Sequence, residues 1–348
     1  MITVGKFIAA EWTKMPKKGS ANGLFQNAKA NNVNLFYFFR DDINQKTHTI
    51  NGHFFDEHGD LYLKEIEYPD IIDNHSEICP IRYRQLYERS IITRPTFYPN
   101  KLEKYNLYTA NTTDARLKNL MIPLSPCETF SDFENAIEKY GNNVVYKPNV
   151  GFRGKGVERL RKEDGLYYIK TNEKSITLDY DDWKTYYKEN IAGKLYIMQS
   201  YFGSTTSSGA PFHIRVVAKK GRDGELFTSI YSRCGKFGEL TSNGTHAEKV
   251  DVFLAREFPD TALQIKNDLD NIARDLPKII DDLFDNNLSD MGIDMGIEHK
   301  DGTYKIGIFE VNTGGVEALD FLVDFNIKTT FDYYWHLYDT NKKKEHKQ

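Results

Sequence analysis

The chain is short of several things, and each shortage excludes a class of protein. Its 348 residues hold three cysteines, Cys79, Cys127 and Cys234. That odd, scattered set fits neither a disulfide framework nor a cysteine metal site, and it suits a reducing compartment. No run approaches the roughly 20 apolar residues of a membrane span. Near Met1, the residues Lys6, Glu11, Lys14, Lys17 and Lys18 break up any leader-like apolar stretch. A soluble, cytoplasmic protein is the expectation, with no membrane partner. One-sided charge is lacking too. A net charge of -4 gives no general attraction to nucleic acid, and no basic–aromatic stripe is there to read bases. The sequence has no internal repeat and no low-complexity tract.

What is present is apolar material, 40% hydrophobic and 14% aromatic, enough for two or three lobes and too much for disorder. Apolar runs predict strands at 34–39, 49–55, 61–66 and 71–73, with Ser20 capping a short helix. A helix is expected over 101–108. A second is expected over 131–140, opened by a Ser131/Glu134 capping box and stopped by Gly141. Strand 144–146 runs into Lys147, and a glycine-dense turn joins it to a strand at 157–160. Further strands are expected at 195–199, at 212–218 paired with 226–233, and at 291–299 paired with 304–312. A long helix over 261–284 carries Pro277, which should bend it. Trp183 with Tyr180, Tyr186 and Tyr187 reads as a packed helix face. The fold class is mixed α/β (α+β).

Three groups of residues carry chemistry. Lys147 leaves a strand and is followed by Gly151, Gly154 and Gly156. Glycines let backbone N–H groups approach a triphosphate, and a lysine offsets its charge. The segment is neither a Walker A loop, since Lys155 precedes Gly156, nor a strand–loop–helix dinucleotide turn; an ordinary hairpin turn is the competing reading. The second group is acidic. Alternation puts Glu310 and Asn312 on one face of their strand, and hairpin pairing brings Asp294 beside them. Two carboxylates and an amide oxygen are hard ligands that suit Mg²⁺; the plainer alternative is a hairpin with acids facing water. The third group is cationic. Arg215 shares a face with His213, and Arg233 ends the next strand, an arrangement that can clamp a phosphoryl group or simply decorate a surface.

In this order the groups resemble the ATP-grasp superfamily, and in particular its spore-coat-associated YheC/YheD group. The similarity spans nearly the whole chain: residues 50–72, the FYPNKLEKY segment at 97–105, VVYKPNVGFRGKG at 144–156, FHIRV at 212–216, Thr241-Ser242-Asn243, and Gly292 to Asp294 with Glu310 to Asn312. Three positions depart from the group's pattern. His213 stands where an aspartate is usual, Leu102 replaces a tryptophan, and Thr313-Gly314-Gly315 lacks a proline.

The resemblance implies an ATP-grasp fold with an N-terminal α/β domain (1–99), a lid subdomain (100–198), a metal-bearing subdomain (199–340) and a basic tail (341–348). It implies that Lys101 and Lys147 reach the ATP phosphates, with Lys104 as an alternative to Lys101. Gly151, Gly154 and Gly156 would form the lid, with Lys155 adding charge. The strand from Gln199 to Tyr201 would read the adenine edge through its backbone. Arg215 and Arg233 would hold the γ-phosphate and an acyl phosphate, assisted by Asn243. Asp294, Glu310 and Asn312 would bind one or two Mg²⁺, with Mn²⁺ as an alternative ion. The implied activity is carboxylate–amine ligation, with ATP, a carboxylate and an amine (amino acid, peptide or amino sugar) as partners. The rivals are a kinase on the same scaffold and a non-catalytic coat-assembly protein. A homodimer is the default for oligomeric state.

Overall fold

The computed structural model of the chain describes residues 1–8, 18–74, 83–93, 104–111, 115–150, 154–242, 246–284, 288–300, 302–312 and 319–345. Within them three β-sheets succeed one another along the sequence. The first contains β1 (Ile2–Phe7), β2 (Val33–Phe38), β3 (Ile43–Asn44), β4 (Thr49–Phe55), β5 (Leu61–Glu67), β6 (Ile71–Asn74) and β7 (Ile91–Ile92), in the order β3-β4-β2-β1-β6-β7 with β5 beside β4. Strands β2, β1, β6 and β7 pair in parallel. The nearly unbroken apolar run of β2 is what a parallel strand covered on both faces requires. Helix α1 (Lys18–Ala30) makes the β1–β2 crossover, and α2 (Arg84–Arg89) precedes β7. Ser20 lies inside α1, so it does not cap it.

Helices α3 (Lys104–Asn111) and α4 (Ala115–Lys118) lead to the second sheet. Its elements are β8 (Leu124–Cys127), α5 (Phe130–Lys139), β9 (Asn143–Pro148), β10 (Glu158–Glu163), β11 (Leu166–Lys170), β12 (Ser175–Leu178), α6 (Tyr180–Asn190) and β13 (Tyr196–Ser200). The order is β12-β11-β10-β9-β13-β8. The capping box of α5 falls at Thr129 and Asp132, two residues before the expected pair: Thr129 Oγ1 accepts the Asp132 N–H at 3.2 Å, and Asp132 accepts the Thr129 N–H at 2.8 Å. Glu134 fits the same spacing from Ser131 but is engaged elsewhere. It accepts from Trp183 Nε1 (2.9 Å), Lys162 Nζ (2.9 Å) and Tyr167 OH (2.8 Å), which ties α5 to α6 and β11.

The third sheet comprises β14 (Phe212–Lys220), β15 (Leu226–Cys234), β16 (His246–Lys249), β17 (Asp290–Lys300) and β18 (Thr303–Asn312), in the order β16-β15-β14-β17-β18. Helices α7 (Val250–Glu257) and α8 (Ala262–Asp282) cover one face, where Ile214, Val216, Ile293 and Met295 meet Phe253, Leu269 and Leu276. Pro277 sits within α8 as expected. Strand alternation therefore sends His213, Arg215 and Asp294 to the opposite face. The final helix, α9 (Val323–Glu345), returns to the first sheet, packing Phe331 and Tyr334 among Ile2, Val4, Leu35 and Ile71. Residues 341–345, expected to open a solvated tail, continue this helix.

The second sheet's core turns on Trp183, which is fully buried and stacked on Tyr167 with ring centroids 5.6 Å apart. Its truncation removes both the ring contacts and a donor to Glu134. Trp183→Ala is expected to lower unfolding free energy by about 3–5 kcal/mol in urea denaturation; a change below about 1 kcal/mol would show that this cluster is not cooperative with the fold.

Candidate active site

The other face of the third sheet is built around one buried carboxylate. In register, Asp294 lies opposite Arg215 on β14 and opposite Glu310 on β18. The Arg215 guanidinium grips Asp294 with two bonds, Nη2 to Oδ2 at 2.6 Å and Nε to Oδ1. Asn312 Nδ2 donates to Asp294 Oδ2 at 3.3 Å. Burial alone would raise the Asp294 pKa, but His213 and the Arg215 and Arg233 guanidinium groups outweigh it and hold the carboxyl below its usual range. His213 is buried, its Nδ1 paired with Ser242 Oγ and its Nε2 3.3 Å from Asp294 Oδ1. Desolvation, with Arg215 and Arg233 adding to it, pushes the imidazole pKa down against the pull of Asp294.

A β-bulge sets the shape of this face. Asp294 pairs with Glu310 but Met295 pairs with Ile308, leaving Phe309 as an extra residue on β18. Gly307 and Glu310 are three residues apart and would face opposite sides of a regular strand. The bulge turns both toward the same side. Gly307 pairs with Gly296 there; the Phe309 and Phe202 rings lie on Gly296, and Phe202 with Ile122 lies on Gly307. A Cβ at Gly296 would stand 2.5 Å from Phe309 Cζ and 2.9 Å from Phe202 Cδ1, so the missing side chains let these groups down onto the sheet.

The second sheet supplies the opposite wall. Lys147, inside β9 and only 7% exposed, donates from Nζ to the Phe309 carbonyl at 3.2 Å. Burial lowers its pKa, with Lys104 acting in the same direction and Glu310 and Asp294 against it. Lys104 is lowered likewise by burial and opposed by Glu310. Between the walls lies a cleft of about 650 Å³. Of the sequence-predicted residues, Lys147, Gly154, Gln199, Tyr201, Arg215, Arg233, Asp294, Glu310 and Asn312 line it. Lys155 and Gly156 lie in the adjoining turn and are not on its wall. Gly154 and Gly156 have φ of 66° and 71°, and a Cβ at Gly156 would stand 3.0 Å from Pro148 Cγ, so Gly156 shapes the turn. Lys101, Gly151 and Asn243 fall outside the described residues.

The Tyr201 N–H is donated to the Asn143 carbonyl at 3.0 Å, and Gln199 pairs with β8 and β9 on either side. The Tyr201 ring is stacked by the Arg159 guanidinium, 3.6 Å from its centroid. Sequence reasoning missed Phe202, Phe309 and the Gly296–Gly307 floor. The signal was the pair of glycines in two strands already expected to form a hairpin.

The charged lining consists of Lys147, Arg159, Lys170, Arg215 and Arg233 against Glu239, Asp294 and Glu310. In a chain of net charge -4, a cleft with a cationic surplus favours a polyanion. Its central ion pair is almost out of water, each side chain 13% exposed. Arg215→Met is expected to cost about 3 kcal/mol of stability by leaving Asp294 without its main partner; an unchanged urea midpoint would contradict the pairing.

No curated protein matches the sequence. Among solved structures the chain is similar to N5-carboxyaminoimidazole synthetase from Staphylococcus aureus complexed with ADP, at 11% identity and TM-score 0.53 over 95% of this chain and 76% of that one. It is also similar to D-cycloserine synthetase DcsG, at 12% identity and TM-score 0.51 over 98% of this chain and 99% of that one. Identities this low speak to the fold alone, and the fold is that of ATP-grasp proteins. The model of the YheC/D-like ATP-grasp family matches residues 93–323, about two thirds of the sequence, and the chain belongs to that family.

Proposed function

We propose that the protein is an ATP-dependent carboxylate–amine ligase that works through an acyl phosphate and releases ADP and phosphate. The observation that carries this reading is the meeting of Lys147, Arg215, Arg233 and the Asp294/Glu310/Asn312 set in one cleft between two sheets. The adenine slides onto the floor made by Phe202 and Phe309, beside the Tyr201 ring. Lys147, with Lys104 or Lys101, takes the phosphates. Gly151, Gly154 and Gly156 let the turn fold over them, with Lys155 contributing charge from its outer side.

Asp294, Glu310 and Asn312 offer hard oxygen ligands of the kind Mg²⁺ takes, and both Asp294 oxygens are already met by side-chain donors. Glu310 and Asn312 are therefore the principal ligands. When bound, the ion neutralises charge on the phosphate oxygens. The remaining work is positional. Arg215 and Arg233 hold the γ-phosphoryl group while a substrate carboxylate oxygen attacks phosphorus and ADP leaves; Asn243 assists. An amine nitrogen then attacks the acyl carbon, phosphate departs, and the nitrogen loses its proton. Fixed donors in a cleft sheltered from water supply most of the rate, since there is little covalent work for the protein to do.

The test is an ADP-release screen of carboxylates against amines. ADP and phosphate are expected, with full turnover only when both substrates are present. AMP and pyrophosphate would contradict the reading, and a stable phosphorylated product without an amide would favour a kinase. Glu310→Ala is expected to reduce turnover by about 100-fold or more; full activity in that variant would remove the metal assignment.

A further inference from the structure

The second and third sheets meet again at the mouth of the cleft, through one side chain. Asn172 lies in the turn between β11 and β12, and Thr171 closes that turn on itself: its N–H reaches the Lys174 carbonyl at 2.9 Å, and its Oγ1 accepts the N–H groups of Glu173 and Lys174 at 3.0 and 3.1 Å. The Asn172 carboxamide is spent across the cleft instead. Its Oδ1 accepts the N–H groups of Leu240 (2.8 Å) and Thr241 (3.1 Å), and its Nδ2 donates to Thr241 Oγ1 at 2.9 Å. These bonds use three of the four hydrogen-bonding positions of the amide.

The segment it holds is part of the cleft wall. Glu239, Leu240, Thr241 and Ser242 all line it. Ser242 is buried and bonds His213 Nδ1, and the other nitrogen of that ring faces Asp294 at 3.3 Å. A chain of contacts thus runs from an exposed turn of one sheet, through a backbone segment of the other, to the carboxylate at the centre of the site. Because the bonded groups belong to different sheets, the three hydrogen bonds exist only while the sheets are closed on each other.

We propose that Asn172 is a positioning residue, a latch that holds the 239–242 segment over a bound nucleotide and slows the nucleotide's escape. The inference rests on the nucleotide reading of the cleft. It assigns Asn172 no contact with substrate. Removal of its carboxamide is therefore expected to alter how long the ligand stays, with little effect on how fast it arrives.

Two measurements on the full chain separate the latch from the reading beneath it. Hydrogen exchange without nucleotide reports the bonds themselves: in Asn172→Ala the Leu240 and Thr241 amides are expected to exchange about tenfold faster than in the wild type. Stopped-flow with MgADP reports their use. Dissociation is expected to quicken by about tenfold in Asn172→Ala while association stays within about twofold, and Asn172→Asp, which keeps the acceptor for both N–H groups, is expected to fall between. The position is exposed, so both variants should melt with the wild type. Unchanged exchange at Leu240 and Thr241 would overturn the latch. Faster exchange with unchanged MgADP release would overturn its role at the site. Failure of the wild type to bind MgADP would sink the nucleotide reading, whatever the exchange result.

Discussion

A buried lysine is costly unless something answers its charge, and Lys147 is answered from a different sheet. Its Nζ meets the Phe309 carbonyl, and the nearby Glu310 and Asp294 carboxylates oppose the effect of burial. The constraint works in both directions. Asp294 is equally buried and depends on Arg215, His213 and Arg233 to keep its charge. No member of the group is comfortable alone, and the low local dielectric makes each pairing count for more than it would in water. The two sheets are thereby obliged to face each other with their charges inward, which leaves a cleft suited to a ligand that carries several negative charges.

The shape of that cleft comes from two local irregularities. One extra residue at Phe309 rotates Gly307 and Glu310 onto a common face, so the same hairpin offers a flat floor at one end and a carboxylate at the other. Glycines in facing positions then let Phe202 and Phe309 lie directly on the backbone. Both irregularities sit where the ligand would, in keeping with the tendency of bulges to cluster beside functional sites. Elsewhere the third sheet is regular, with alternate residues of β14 and β17 packed on α7 and α8.

Much of this was legible in the sequence, for identifiable reasons. Strong period-2 patterns gave β4, β14, β15, β17 and β18 nearly to the residue, and Gly141 does end α5 with φ of 75°. Alternation was also enough to place Glu310 and Asn312 on one face. What escaped depends on contacts between distant segments. The α5 cap was misplaced because Ser131/Glu134 and Thr129/Asp132 share the same spacing, and only tertiary bonds to Trp183, Lys162 and Tyr167 take Glu134 out of contention. The bulge was invisible, since nothing in Ile308-Phe309-Glu310 marks an extra residue. The Tyr201–Asn143 backbone bond was likewise out of reach, since it joins residues 58 positions apart in sequence. The course of α9 across the first sheet could not be read either, because its apolar residues say what it buries and not where.

The most direct check on the account is a titration of ATP with Mg²⁺ into the Lys147→Met variant beside the wild type. Methionine keeps most of the packing of the side chain and removes its charge together with the Nζ donor to Phe309. Saturable binding by the wild type, weakened by about tenfold or more in the variant, is the expected result. Equal affinity in the two proteins would mean that the nucleotide does not lie between these sheets.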